Sequence, residues 1–369
     1  MPVDKDKEYD ARLVPSLLST LPNPRGRVLI AGPCSAESRE QVLVTASRLA
    51  SFCPEAIFRA GVWKPRTSPG SFEGIGPEAL AWLAEARAIT GMPVATEVAS
   101  PEHVRAADAA GVDILWIGAR TSANPFAVQA LADAIGEICP HKTVLVKNPV
   151  SPDLELWIGA FARLLSRGVT RLGAIHRGFS VYKSRPYRNA PIWQIPLELH
   201  RRLPSLPIIH DPSHTGGSRD HLAALSQQAL DMGFDGLMIE SHPHPESALS
   251  DGGQQLTPDA LATLWQSLKI RNTSRPDAVL DELRWQIDEL DGELLSVLAR
   301  RMAVSRKIGE YKRANDMPVV QPDRYSRLLT ALLRRGCELG LDETFLTRLL
   351  ETLHAESVRC QLHLPDPNP

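Results

Sequence analysis

Leu206-Pro207-Ile208-Ile209-His210-Asp211-Pro212-Ser213-His214 and, one helix later, Gly236-Leu237-Met238-Ile239-Glu240-Ser241-His242 decide how the rest of the chain is read. Each is a short apolar run that stops abruptly at residues able to ligate: Leu206 to Ile209 at His210, Asp211 and His214, and Leu237 to Ile239 at Glu240 and His242. Uninterrupted apolar runs suit parallel strands covered on both faces. Barrel enzymes keep their chemistry at the carboxyl ends of such strands. Asp251 follows in a Ser-Asp-Gly-Gly turn. One imidazole and two carboxylates form a partial shell for a divalent metal, so a fourth ligand has to come from elsewhere.

Working outward, the same unit recurs along the chain. Val28 to Ala31 runs into Gly32-Pro33-Cys34-Ser35, Ala56 to Phe58 into Arg59, and Val94 to Ala95 into Thr96-Glu97. Ile114 to Ile117 precedes Gly118-Ala119-Arg120, Val144 to Val146 precedes Lys147-Asn148, and Leu172 to Ile175 precedes His176-Arg177. Helix-patterned segments such as Pro77 to Ile89, Pro101 to Ala109, Leu154 to Ser166 and Asp220 to Met232 separate the runs. Alternation of this kind forces parallel pairing with right-handed crossovers. Eight runs predict a closed (β/α)8 TIM barrel over residues 28–270 rather than an open doubly wound sheet, and no Gly-rich dinucleotide fingerprint follows the first run. Residues 1–27 read as an N-terminal extension with charged Asp4 to Glu8 and no secretory core.

Nearly every run ends in a charged or ligating residue. A single such residue is usually structural, a buried cysteine or a solvated arginine, but a barrel gathers all of them at one mouth. Cys34, His214, Glu240 and Asp251 are then candidate metal ligands. Their mixed softness suits Mn²⁺, Fe²⁺, Co²⁺ or Zn²⁺ and not the all-oxygen cage of Ca²⁺. Arg59, Lys64, Arg66, Arg120, Lys147 and Arg177 form a cationic cluster suited to phosphate and carboxylate. A metal beside phosphate-binding cations points to a phosphorylated carbonyl substrate. With 43% hydrophobic residues and a net charge of −2, the chain offers no basis for a nucleic-acid or membrane partner. Five widely spaced cysteines fit a reducing cytoplasm rather than a disulfide framework.

These motifs resemble one family. Gly32-Pro33-Cys34-Ser35, Lys64-Pro65-Arg66-Thr67-Ser68-Pro69, Gly118-Ala119-Arg120-Thr121, Lys147-Asn148, Asp211-Pro212-Ser213-His214 and Glu240-Ser241-His242-Pro243 are similar to the short bacterial 3-deoxy-D-arabino-heptulosonate 7-phosphate synthases, as is Ala248-Leu249-Ser250-Asp251-Gly252. The related eight-carbon keto-acid synthases have Lys-Ala-Asn-Arg where this chain has Lys64-Pro65-Arg66-Thr67. The resemblance implies condensation of phosphoenolpyruvate with erythrose 4-phosphate on a divalent metal, Mn²⁺ first among the candidates. It implies that Arg59, Lys64, Arg120, Lys147 and Arg177 hold phosphoenolpyruvate, with Arg66, Thr67 and Arg188 on the sugar phosphate. Lys64 is the implied proton shuttle.

Arg271 to Pro276 is polar and ends in proline, so it reads as a linker, leaving 277–369 as a second, all-helical domain. From Asp277 to about Ala314 an apolar face runs through Leu280, Leu283, Ile287, Leu290, Leu294 and Leu298, predicting a helix of roughly 55 Å. A small domain cannot cover such a face alone, so a partner copy is expected and the protein is at least a dimer. Two shorter helices follow, near Asp323 to Leu339 and Glu343 to Gln361. Leu283-Arg284-Trp285-Gln286-Ile287, Leu298-Ala299-Arg300-Arg301, Ile308 to Lys312, Gln321 to Arg324 and Glu356 to Gln361 resemble the all-helical, three-helix chorismate mutases. That similarity implies that Arg284 from the second copy, Arg301 and Arg324 bind the carboxylates of chorismate. It further implies that Lys312 and Gln361 contact its ether oxygen, with Ser357 in support. Gln321 stands where some relatives have an acid. The competing expectation is a ligand-sensing, dimerising module that binds prephenate with little catalysis.

Overall fold

The computed structural model describes residues 5–20, 25–65, 70, 72–182, 186–270 and 278–362. Arg66 and Thr67 of the expected sugar-phosphate motif, and the expected linker, lie outside the described residues. The chain divides into two compact units, Met1–Thr273 and Ser274–Pro369.

In the first unit eight parallel strands close into one ring in chain order: β1 (Val28–Gly32), β2 (Ile57–Arg59), β3 (Val94–Val98), β4 (Ile114–Ile117), β5 (Thr143–Lys147), β6 (Leu172–His176), β7 (Ile208–His210) and β8 (Gly236–Glu240). Successive residues point to opposite layers, as the pleat requires. Ile30, Ile57, Ala95, Ile114, Trp116, Leu145, Ile175, Ile209 and Met238 fill the barrel interior, while Leu29, Ala31, Phe58, Leu115, Ile117 and Val146 face the helices outside. The run read as Val94 to Ala95 continues through Thr96 and Glu97 to Val98: Glu97 follows Ala95 on the inner face beside Trp116, while Thr96 faces the other way and its hydroxyl donates to Ala60 O at 2.8 Å.

The N-terminal extension has a structural use. A short helix, Leu17–Thr20, sends Leu18 into the interior cluster from below, and Leu17 N–H donates to Thr143 Oγ1 at 2.9 Å. Burying one leucine in this way contributes about 2 kcal/mol. Helix starts follow their caps: Ser38 Oγ accepts from Gln41 N–H, Ser100 from His103 and Thr257 from Ala260. Asp153 and Asn124 do the same for their helices.

The second unit is three helices, Ala278–Ala314, Pro322–Glu338 and Glu343–Leu362, the third packing against both others. Its apolar burial is meagre. Leu283, Ile287, Leu290 and Leu294 on the long helix are 51%, 58%, 63% and 54% exposed in the single chain.

Candidate functional site: the barrel mouth and the helical cavity

The barrel closes where β1 meets β8, with Gly32 opposite Glu240. Gly32 has φ 142°, and a Cβ there would stand 2.1 Å from the Arg59 carbonyl, so only glycine lets the chain pass β2 at this point. Beyond it lies Cys34, which donates to Asp251 Oδ2 at 3.4 Å. Glu240 is fully buried, its Oε1 3.7 Å from His214 Nε2 and 3.3 Å from Arg59 Nη2. Asp211 caps the short helix Pro212–Gly216: Oδ1 accepts from the His214 backbone at 3.0 Å and Oδ2 meets His214 Nδ1 at 2.8 Å. That bond places the ring proton on Nδ1 and turns the Nε2 lone pair toward Glu240.

Electrostatics at the mouth are strongly coupled. Burial, reinforced by the Glu240 carboxylate, pushes the Cys34 thiol up to about 12. Burial would raise Asp211, Glu240 and Asp251 as well, but the groups around them together more than offset it: His214 at all three, with Lys147 at Asp211, Arg59 at Glu240 and Arg188 at Asp251. All three carboxyls are held below their ordinary range. Burial lowers Lys147, and it lowers Arg177 to about 10 with Arg188 and Arg120 nearby.

The structure brings the described members of the expected cation cluster, Arg59, Lys64, Arg120, Lys147 and Arg177, to the barrel mouth. Arg59, at the end of β2, is fully buried over the Trp116 ring at 4.9 Å, and its Nε and Nη1 have no hydrogen-bond partner among the described residues. Lys147 Nζ donates to Asp211 Oδ2 at 2.8 Å. Lys64 lies across Gly61, whose missing side chain makes the room: a Cβ there would be 2.7 Å from Lys64 Nζ. Its charge acts on both Cys34 and Glu240. Arg188 Nη1 donates to Asp251 Oδ1 at 3.1 Å and Gln254 Oε1 at 3.0 Å, so it is tied to the candidate metal ligands. Arg120 is exposed at the rim.

Several residues of this mouth gave no signal strong enough to enter the sequence-based site. Asp211 was read as able to ligate and as part of the Asp211-Pro212-Ser213-His214 motif but was given no role, yet it links Lys147 to His214. Glu97 is buried and accepts from Trp116 Nε1 at 3.2 Å. Gln254 Nε2 donates to Glu240 Oε2 at 2.7 Å. A glutamine in a turn has no pattern that would betray such a role.

In the helical unit, Arg301 donates to the Ser357 hydroxyl and to Leu353 O, while Gln361 Nε2 donates to Ser357 O at 3.2 Å. Lys312 and Gln361 line one cavity of about 600 Å³ with Val319 and Met317. Gln361 Oε1 is buried there without a partner among the described residues. Arg324 is exposed, and Gln321 precedes its helix without capping it. Arg284 pairs with Asp281 on its own helix, about 25 Å along the axis from Arg301, and so lies away from that cavity within one chain.

The donor set at the seam fits a divalent transition metal. A thiol, an imidazole lone pair and two carboxylates face one another, and Glu240 Oε1 is buried without an aligned hydrogen bond among the described residues. The approaches are pairwise: no three of these donors are already drawn to coordination spacing among the described residues.

A closed parallel barrel with this mouth, joined to an all-helical unit, defines a two-part enzyme of the (β/α)8 class. The chain belongs to the DAHP synthetase I family, whose model matches residues 24–274, and residues 283–362 match the model for chorismate mutase type II. Both enzyme domains, a transferase and an isomerase of aromatic amino-acid synthesis, are thus present in one chain. Among its relatives is a phospho-2-dehydro-3-deoxyheptonate aldolase of Thermotoga maritima, 36% identical over 242 residues, which are 65% of this chain and 68% of that protein. The crystal structure of a Thermotoga maritima DAHP synthase superposes with a TM-score of 0.59 at 35% identity, over 65% of this chain and 67% of that one. A 2-dehydro-3-deoxyphosphooctonate aldolase of Geobacter sulfurreducens is 31% identical over 266 residues, 66% of this chain and 92% of that protein. Among the described residues, no helix is long and apolar enough to cross a membrane.

Proposed function

We propose that the barrel condenses phosphoenolpyruvate with D-erythrose 4-phosphate and water, giving 3-deoxy-D-arabino-heptulosonate 7-phosphate and phosphate, with one divalent ion held by Cys34, His214, Glu240 and Asp251. The observation that supports this reading is two donor pairs, Cys34 with Asp251 and His214 with Glu240, at the mouth beside Arg59, a buried arginine with two unpaired nitrogens among the described residues. A buried guanidinium in that state calls for an anion. When bound, the ion supplies a Lewis acid that polarises the aldehyde oxygen.

The protein's own groups do the rest. Arg59 and Lys147, with Arg120 and Arg177, hold the phosphate and carboxylate of phosphoenolpyruvate. Asp211 keeps Lys147 and His214 in place through one carboxylate oxygen. Arg66, Thr67 and Arg188 take the sugar phosphate, and Lys64, packed over Gly61, moves the proton. The run Lys64-Pro65-Arg66-Thr67 favours the seven-carbon product over the eight-carbon one. Manganese is the first choice of metal. The enzyme acts in the cytoplasm, where its free thiols stay reduced.

In the helical unit, Arg301 and Arg324, with Arg284 from a second copy, hold the two carboxylates of chorismate. Lys312 and Gln361 stabilise the ether oxygen as it gains charge, with Ser357 in support. A pericyclic rearrangement needs no nucleophile, so holding the compact conformer and meeting that oxygen is sufficient. The exposed apolar face of the long helix supports the dimer. Prephenate bound in this unit inhibits the barrel. Dialysis against EDTA is expected to abolish condensation while chorismate turnover continues, and Mn²⁺ to restore it. Condensation at full rate in metal-stripped Cys34→Ala protein would overturn the metal assignment.

A further inference from the structure

Cys34 and Asp251 stand at opposite ends of the barrel sequence, and something must hold them in register where β1 and β8 meet. Gln255 spans that seam. It is fully buried, its Oε1 accepts from the Cys34 backbone N–H at 3.0 Å, and its Nε2 donates to Ser250 O at 2.8 Å. The amide has only one workable orientation, since a flip would set NH₂ against N–H and oxygen against carbonyl. One planar group therefore links the peptide of Cys34 to the carbonyl immediately before Asp251.

The rest of the seam is built around that link. Ser35 Oγ and Ser250 Oγ share a 2.6 Å hydrogen bond, and Leu249 N–H donates to Glu37 Oε1 at 2.9 Å. Asp251 itself adopts φ 49°, a left-handed conformation that a non-glycine residue holds only when its surroundings enforce it. An apolar side chain at 255 would strand two buried backbone groups, one on each side of the seam.

We propose that Gln255 is a positioning residue of the metal centre, a clamp that fixes the Cys34 sulfur and the Asp251 carboxylate at one separation. The proposal rests on the metal assignment above and deepens it, since ligand-orienting partners outside the coordination sphere commonly set metal affinity 10–100-fold. Gln255 touches no substrate in this account and acts only through the two ligands.

The test is a Co²⁺ titration of the full chain, followed by the thiolate-to-cobalt absorption band, in wild type and in Gln255→Met, which keeps length and removes both hydrogen bonds. Affinity is expected to fall roughly 10–100-fold, and alkylation of Cys34 in the metal-free protein, mapped by mass spectrometry, to quicken. Chorismate turnover by the same preparation is expected to be unchanged, which reports a folded helical unit, and a cooperative thermal transition of the barrel reports that the unit carrying residue 255 is folded. Equal cobalt affinity in the two proteins, with or without a lower melting temperature, overturns the clamp and leaves the metal assignment standing. Absence of the thiolate band in wild type overturns both. If the methionine variant does not fold, Gln255→Glu retains an acceptor for the Cys34 N–H but loses the donor to Ser250 O. Faster Cys34 alkylation than wild type then supports the clamp, and an equal rate overturns it.

Discussion

His176 and His210 stand side by side where β6 and β7 end, Nδ1 to Nδ1 at 3.1 Å, packed against Trp193 and Phe234. His176 Nε2 meets Pro191 O at 2.7 Å, and a carbonyl can only accept, so that nitrogen carries the proton. His176 Nδ1 is then the acceptor and His210 Nδ1 the donor, which leaves a buried lone pair on His210 Nε2 with no partner among the described residues. Burial takes His210 down to about 3 and holds His176 well below its usual value, where the proximity of His210 adds to the effect. Below about pH 6.5 the unfolded chain binds a proton that the folded one refuses, so stability is full above that pH and falls as pH drops toward 3. The slope is about 1.4 kcal/mol per pH unit for each such histidine. His210→Gln keeps a donor and cannot titrate. It is expected to melt somewhat lower at neutral pH and to lose less stability than wild type between pH 7 and 5, read by melting curves at both. An unchanged slope would show that the pair is not the sensor. At this scale the sequence was informative wherever a residue's type announces its chemistry. Cys34, Glu97, His214 and Glu240 stand out in the sequence because charged or ligating residues at strand ends are conspicuous, whereas Gln254 and Gln255 act through geometry that no spacing reveals.

The long helix Ala278–Ala314 carries the argument for shared sites. Its apolar residues repeat at helical spacing and remain half exposed or more at Leu283, Ile287, Leu290 and Leu294, although a globular unit of this size should bury them. A second copy laid along that face would place Arg284 of each chain beyond the reach of its own cavity and near the other's. Mixing then becomes diagnostic. Arg284→Ala and Lys312→Ala proteins are each expected to be nearly inactive as mutases. After subunit exchange, half of the dimers are mixed and half of the sites in those contain both residues, so turnover should return to roughly a quarter of wild type. No recovery, with exchange verified by a tagged chain, would place Arg284 outside the site. At the element scale the sequence showed most of the architecture, because an uninterrupted apolar run or a 3.6-residue stripe is local information. Among the features that escaped it, two bear on the barrel. β3 extends through Thr96 and Glu97, since the barrel mouth tolerates the inward Glu97, bonded to Trp116, and the outward Thr96 hydroxyl bonds Ala60 O. The Leu17–Thr20 plug is too short to have a period, and its burial depends on the floor of a barrel assembled from distant strands.

For the molecule as a whole, one chain joins a mutase domain to a synthase domain of aromatic amino-acid synthesis, and the proposed feedback would couple them. Feedback by prephenate requires two arrangements of the protein that bind it with different affinities. Coupling of this kind is typically 1–3 kcal/mol, roughly 5–150-fold in affinity. Linkage is reciprocal, so if prephenate weakens binding of phosphoenolpyruvate, phosphoenolpyruvate must weaken prephenate binding by the same factor. The full chain with Arg301→Ala separates this from direct competition at the barrel mouth. Arg301 bonds Ser357 within the helical unit, whose cavity is lined by Lys312 and Gln361, and its loss should remove prephenate binding there without touching a barrel residue. Condensation in the variant is expected to proceed at the wild-type rate and to ignore prephenate at concentrations that inhibit the wild type. If inhibition persists undiminished, prephenate acts at the barrel itself, where Arg59 and its neighbours would hold its carboxylates as they would hold those of phosphoenolpyruvate, and the helical unit would then be a catalyst alone.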